Sequence, residues 1–579
     1  MVPGSEASPT ILILVLCVLL VLYPAKTAAQ DLENIAEEKP IGLTGALTAS
    51  LVSYNASGIE DRHTPFSWMI EGSPTLSLYG VMIPFNFIIS EQQRDFRQPF
   101  NQFGLSPTYK RFTAHLGYRN MNFSRYTLAG HTFLGGGFDF KPGIFRFAGM
   151  YGRLQRPIEQ DTSRFDIDPA YERYGYGVKA GIGGDRDFVD LNMFYAEDDS
   201  NSLAHIPFAS DILPSENLVL GLNSRIGIIE ELTLEAEAAS SVFTRDVRAP
   251  KMTSTKIPEG IHGIFRITEA TSFTFATQAA IAFRIPTFQA RLQWERVEPD
   301  YKSLGTYYLL TDLERWTFAP TLLLIENKLR LSTSIGLEHD NLLNTRVRTT
   351  NRLIGSGAIS YNPSQRFGID ANYSNYSTDQ KRAVTIADLR DTLPDGSLRL
   401  TNNVAQSISL APRLMFQEET LNQLLALVIA YQEYQDRTAG IGDLTDSKAL
   451  TSSINYNRAY LQQGSTLGGS IIFSRAQAGI AKTTMFGGSI NGSMSFLEEK
   501  ALTASASLGA TTSSISTLAS STFSLNQTIN GNYKITDRNI LTLSLYASQN
   551  SGYDLPDGSS TDGYSEMTAT LSFSHLLDF

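Results

Sequence analysis

Apolar and polar residues take turns along most of this chain. At its end Met567, Ala569, Leu571, Phe573, His575, Leu577 and Phe579 occupy the odd positions, and the even ones are mostly small or polar. The same period of two recurs upstream in mirror-image pairs. Trp316, Phe318, Leu322 and Leu324 run up to Glu326-Asn327, and Leu329, Leu331, Ile335 and Leu337 run away from it. Leu353 to Tyr361 enters Asn362-Pro363-Ser364-Gln365, and Phe367, Ile369, Ala371 and Tyr373 leave it. Phe486 to Phe496 reaches Leu497-Glu498-Glu499-Lys500, then Leu502 to Leu508 departs; Phe523 to Tyr533 reaches Thr536-Asp537-Arg538-Asn539, then Leu541, Leu543 and Leu545 depart. A helix would scatter such residues around its circumference, whereas a strand puts them all on one face.

Tight connections alternate with long polar ones, near 54–65, 91–98, 119–130, 155–172, 198–216, 244–258, 297–314, 339–349, 376–401, 434–448, 475–484, 511–522 and 548–563. Their Asp, Ser, Asn, Gly and Thr content reads as solvated loops. Strict alternation of short turns and long loops predicts an all-β fold, a transmembrane antiparallel β-barrel of about 26 strands (range 22–26), with tight periplasmic turns and long extracellular loops. Two places leave the count open. Residues 272–297 make one long strand or two, and an even count needs a short strand near Phe100–Leu105. Closure is required because an open edge in lipid would leave backbone amides without partners. Tyr361, Phe416, Phe496 and Tyr533 beside the turns, with Tyr373, Tyr431, Phe473 and Tyr546 near the loops, are read as two interfacial girdles.

Thr10 to Leu22 is an apolar run too short to span a bilayer, followed by the small residues of Ala25–Gln30. Residues 1–29 are therefore expected to be a signal peptide cleaved after Ala29, although the stretch before the apolar run holds no Lys or Arg. Residues 30–41 would be a short periplasmic segment and 42–579 a single barrel domain. The net charge of −11 has no basic stripe beside it, which argues against nucleic acid. The one cysteine, Cys17, lies in the signal with Leu16 before it, so neither lipidation nor thiol chemistry in the mature chain is expected.

Candidate chemistry is sparse. His115 and His131 straddle the 119–130 connection near Ser124, and Asp139 is read on the strand of His131 but on its other face. No GxSxG, HExxH or paired carboxylates occur, so no enzyme, cofactor or metal is expected. Glu197-Asp198-Asp199 and Asp554 to Gly563 are acidic but do not fit the calcium-loop template, and read as solvated turns. Opposite the lipid-facing sets lie Arg146, Lys179, Asp190, Glu235, Glu237, Arg284, Arg330 and Asp370, candidates for a hydrated, salt-bridged lumen without strong ion selectivity.

SLYGVMIPFNF (77–87), QPFNQFGLSPTYK (98–110), GYRNMNFSRYTLAGH (117–131), FRFAGMYGRL (145–154), PSENLVLGL (214–222), ERVEPDYKSLGTYY (295–308) and the stretch 350–378 resemble large outer-membrane barrels of Bacteroidota. The resemblance covers most of 64–380 and implies the barrel and the bacterial outer membrane, with no defined activity. It implies that Leu571, Phe573, Leu577 and Phe579 form the closing-strand signal read by the barrel-assembly machinery. The alternating pattern begins about a dozen residues after the expected cleavage site, which argues against a transporter with a folded N-terminal plug. Two functions remain: a pore for solutes, or a structural or translocation component whose lumen is filled by loops, by a passing polypeptide, or by a lipoprotein or periplasmic partner.

Overall fold

The computed structural model describes residues 41–91, 102–160, 168–205, 212–252, 257, 260, 265–346, 348–382, 401–437, 445–516, 520–552 and 562–579. The expected signal peptide, residues 30–40 and Asp554 to Thr561 lie outside them. The described chain is one antiparallel sheet closed on itself. Ile41–Ser57 pairs with Tyr564–Asp578 over fourteen positions, from Thr44 opposite Asp578 to Ser57 opposite Ser565.

Among the described residues 29 extended segments occur, and 28 of them make up 26 wall strands. Phe66–Gly72 and Thr75–Leu78 form one strand broken at Ser73-Pro74; both pair with Ile41–Ser57. Gln102–Leu105 and Thr108–Tyr109 form another, broken at Ser106-Pro107, and this is the short strand that an even count needs. Proline has no N–H to give the ladder, so each strand kinks there. Opposite the first break sits Gly45, at φ 130°, where a Cβ would lie 2.5 Å from the Ser73 carbonyl oxygen. Residues 272–297 resolve into two strands, Thr271–Arg284 and Phe288–Val297. Gly305–Thr306 is no wall strand; it pairs in parallel with Leu128–Gly130.

The tight turns fall where the sequence places them. Ile325, Glu326 and Asn327 all have positive φ between Leu313–Leu324 and Leu329–Asp340. The connection expected to be long near 475–484 is instead a two-residue turn at Gly479-Ile480, since Ser465–Ala478 and Ala481–Phe496 run the full way up. Small and β-branched residues there continue the ladder where polarity alone suggested a loop. Several strands reach 16 or 17 residues, well beyond the 9–11 that cross the hydrocarbon.

One face of the wall keeps large apolar side chains exposed, among them Leu191, Leu292, Phe318, Ile359, Phe486 and Phe573. An exposed apolar face on a closed sheet is the lipid-facing surface of a membrane barrel of outer-membrane type. The other face is concave. Tyr126, between Phe112–Asn122 and Leu128–Phe140, bonds to Glu237 and Glu295 on strands far around the wall, a chord that only the inside allows. Tyr546 leaves its expected girdle: its position pairs with Thr568, its neighbours Ser544 and Ser548 share its face, and that face is the inner one. The second apolar cluster, Leu218, Val242, Ile257, Phe265 and Ile267, packs on the outer face.

Candidate functional site: a lumen with two unlike sectors

Two connections read as solvated loops fold inward instead. Residues 123–127 and 298–312 meet inside the loop end of the barrel and pack into a core that includes Met121, Phe133, Leu154, Phe194 and Val297. Tyr126 is fully buried, its N–H donating to Glu237 (3.0 Å) and its hydroxyl to Glu295 (3.1 Å). Arg125 pairs with the same Glu295 carboxylate at 2.9 Å. The Tyr301 hydroxyl donates to the Tyr126 carbonyl (2.8 Å), and Ser303 donates to the Thr127 carbonyl. Asn217 on the wall holds the second loop twice, accepting from the Leu304 N–H (3.0 Å) and donating to the Lys302 carbonyl (3.2 Å). Burial raises both phenols above their usual range, aided by the Glu295 charge at Tyr126 and the Glu237 charge at Tyr301, so both stay neutral donors.

Small wall residues make room for this plug. A Cβ on Gly177 would come within 2.7 Å of the Phe123 ring, and one on Gly221 within 2.7 Å of the Thr127 methyl. Gly177→Val should therefore push Phe123 out and weaken plug packing by about 1–3 kcal/mol. Limited proteolysis of the intact barrel should then cut within 123–127 faster than in the parent protein.

The eight predicted lumen residues all lie on the inner face, but in different company. Arg146 pairs bidentately with Asp190 (2.9 and 3.1 Å) and covers the Phe188 ring. Lys179 lies over Phe123 and donates to the Asn122 carbonyl, and Glu237 holds Tyr126, so both serve the plug. Glu235 receives Arg291 at 2.7 Å and Arg225 at 3.5 Å. Asp370 pairs with Arg413, and among the described residues Arg330 reaches only Ser332 (3.3 Å). Arg284 makes no ion pair with any described residue. Beyond these eight, Glu295, Arg315, Glu338 and Arg352 face one another on four successive strands and form a charge ladder. Residues directly opposite across a ladder meet in this way, but finding them requires the register.

The opposite sector is different. On Ser447–Tyr460, Ser465–Ala478, Ala481–Phe496 and Leu502–Ile515 the inner positions are Ser, Thr, Asn, Gly, Ala or apolar, and none is charged. Hydroxyls pair across strands instead: Thr451 with Ser474 (2.9 Å), Thr466 with Ser493 (2.7 Å) and Ser470 with Ser489 (2.8 Å). The seam continues this with Thr48–Ser574 and Ser50–Ser572.

The histidine reading needs correction. Eight residues apart, His131 and Asp139 share the inner face; His131 stacks on Tyr307 at 4.1 Å, while Asp139 pairs with His115 (3.0 Å). Ser106 completes a row, its hydroxyl 2.9 Å from His115 Nδ1. The row has the order of a nucleophile–base–acid relay, but neither Ser106 nor its successor offers a free backbone N–H beside the hydroxyl. The Ser106 N–H is given to the Pro84 carbonyl, and the next residue is Pro107, which has none. The row thus ties three strands together. Asp198 is likewise engaged as a wall contact, by Arg173 (2.7 and 2.9 Å) and by the Ser215 hydroxyl (2.9 Å) and N–H (3.0 Å). Among the described residues no three metal-ligating side chains converge.

No protein-family model and no curated protein matches the chain. Solved structures do. The copper transporter OprC is 11% identical over 92% of this chain and 80% of its own, with a TM-score of 0.35. The translocation pore of the P pilus usher PapC is 10% identical over 92% and 99%, TM-score 0.35. BauA, the ferric preacinetobactin receptor of Acinetobacter baumannii, is 10% identical over 92% and 80%, TM-score 0.34. These likenesses are of barrel architecture only.

Proposed function

We propose that the chain is an outer-membrane transport barrel whose uncharged sector is the path for hydrophilic, weakly charged solutes. The observation that carries this is the split inner wall. One sector is filled by a docked plug and the charge ladder that anchors it; the other offers rows of hydroxyls and amides. Twenty-six strands enclose more space than the 16–18 that already leave an aqueous channel. A wide passage would leak, and the plug supports a role in narrowing it. Hydroxyl-lined walls exchange hydrogen bonds with water or solute hydroxyls at little cost, and they give no strong preference for either ion sign. The same plug favours a second reading, a translocation component that accepts a lipoprotein or periplasmic partner inside the lumen. Purified protein in planar bilayers should give stepwise conductance with similar anion and cation permeability. A silent bilayer together with a partner that survives gentle-detergent purification would replace the pore by the second reading.

A further inference from the structure

On the outer face at the loop end, Lys448, Arg475 and Lys482 stand on three successive strands. Lys448 lies opposite Gln477, Gln477 opposite Lys482, and Leu450 opposite Arg475. With Tyr431 they line a concavity of about 310 Å³. None of the three makes an ion pair with a described residue. Glu433, opposite Lys448, is the nearest anion in register, and its carboxylate accepts from Gln435 (3.0 Å). The strands that carry Arg475 and Lys482 join directly through the two-residue turn Gly479-Ile480. Tyr431 is in register with Leu450 and Arg475, and Phe473 stands one outward position below Arg475 on the same strand, as interfacial aromatics do. Twelve strands away the same rim is acidic, with Glu197 and Glu216 sharing the Tyr195 hydroxyl. The basic cluster is therefore a local feature and not a general property of the rim.

We propose that this concavity binds the phosphate groups of a phosphorylated lipid in the outer leaflet. The inference rests on the membrane-barrel reading. Cations on a lipid-facing wall are costly unless they meet headgroup charge, and three of them around one hollow beside two interfacial aromatics match a phosphate held at the interface. The acyl chains of such a lipid would then lie along the apolar outer face below.

The test is native mass spectrometry of the full chain in detergent, titrated with bisphosphorylated lipid A, with phosphatidylethanolamine and with inorganic phosphate. Lipid A should bind at least tenfold tighter than phosphatidylethanolamine. The triple variant Lys448→Gln, Arg475→Gln, Lys482→Gln should lose about a hundredfold, at about fivefold per cation. If that variant does not fold, Glu433→Lys, which adds a fourth cation, should tighten lipid A binding about fivefold. Equal binding by parent and variants, or displacement of lipid A by inorganic phosphate, overturns the site. A protein that conducts in bilayers without preferring lipid A would overturn the site and keep the pore; one that binds lipid A but stays silent would do the reverse.

Discussion

Glu338→Ala is expected to destabilise the barrel by about 3 kcal/mol. Glu338 is buried, and its two carboxylate oxygens take Arg315 and Arg352 from the strands on either side. Removing it leaves two guanidiniums facing each other with nothing between them. The lower end of the range applies because both arginine side chains keep about a quarter of their surface exposed (26% and 28%). The effect should reach Glu295 as well, since Arg315 also lies 3.9 Å from that carboxylate, and Glu295 carries Arg125 and the Tyr126 hydroxyl. Heat-modified gel mobility of the folded barrel would measure the loss. Adding Arg352→Ala to the variant should recover part of it, because a lone charge costs more than a missing pair. Full stability in Glu338→Ala would mean that the ladder is decoration.

Tyr126→Ala should act on the lumen as strongly. A fully buried aromatic packed edge-on against Tyr301, with two hydrogen bonds to the wall, is the plug's centre. Its truncation should weaken docking of 123–127 by about 3–5 kcal/mol. Tyr301 and Ser303 then lose their carbonyl partners' fixed positions, so the second connection loosens with the first. Single-channel conductance should rise roughly twofold as the filled sector opens. Tyr126→Phe, which keeps the ring and loses only the hydroxyl, should conduct like the parent protein. An unchanged trace in Tyr126→Ala would place the current path away from the plug.

Alternation makes the wall legible from the residues alone. Side-chain period two marks Leu313–Leu324 or Phe367–Arg382 without knowledge of neighbours, and Glu326-Asn327 names its own turn. What alternation does not carry is register. The ladder Glu295–Arg315–Glu338–Arg352 exists only once four strands are aligned, and Ser106 meets His115 and Asp139 only across three. The inward connections are hidden for another reason. Residues 123–127 and 298–312 are as polar as solvated loops, because a plug that bonds to wall carboxylates and carbonyls needs the same donors a loop gives to water. Tyr126, Tyr301 and Tyr307 are the trace they leave, large aromatics clustered where a free loop has little use for them. At Gly479-Ile480 the opposite holds, and polar flanking residues conceal an uninterrupted hairpin.

The pairing of Ile41–Ser57 with Tyr564–Asp578 joins residues more than 500 positions apart. Until the final strand is made, the first has no mate on one side, and the growing wall carries two bare edges that invite pairing with any other extended chain. Contacts of such span are slow to form. The seam therefore sets the order of maturation: every other hairpin can settle early, and closure must come last. The yield of folded protein would then depend on how long those two edges stay unpaired.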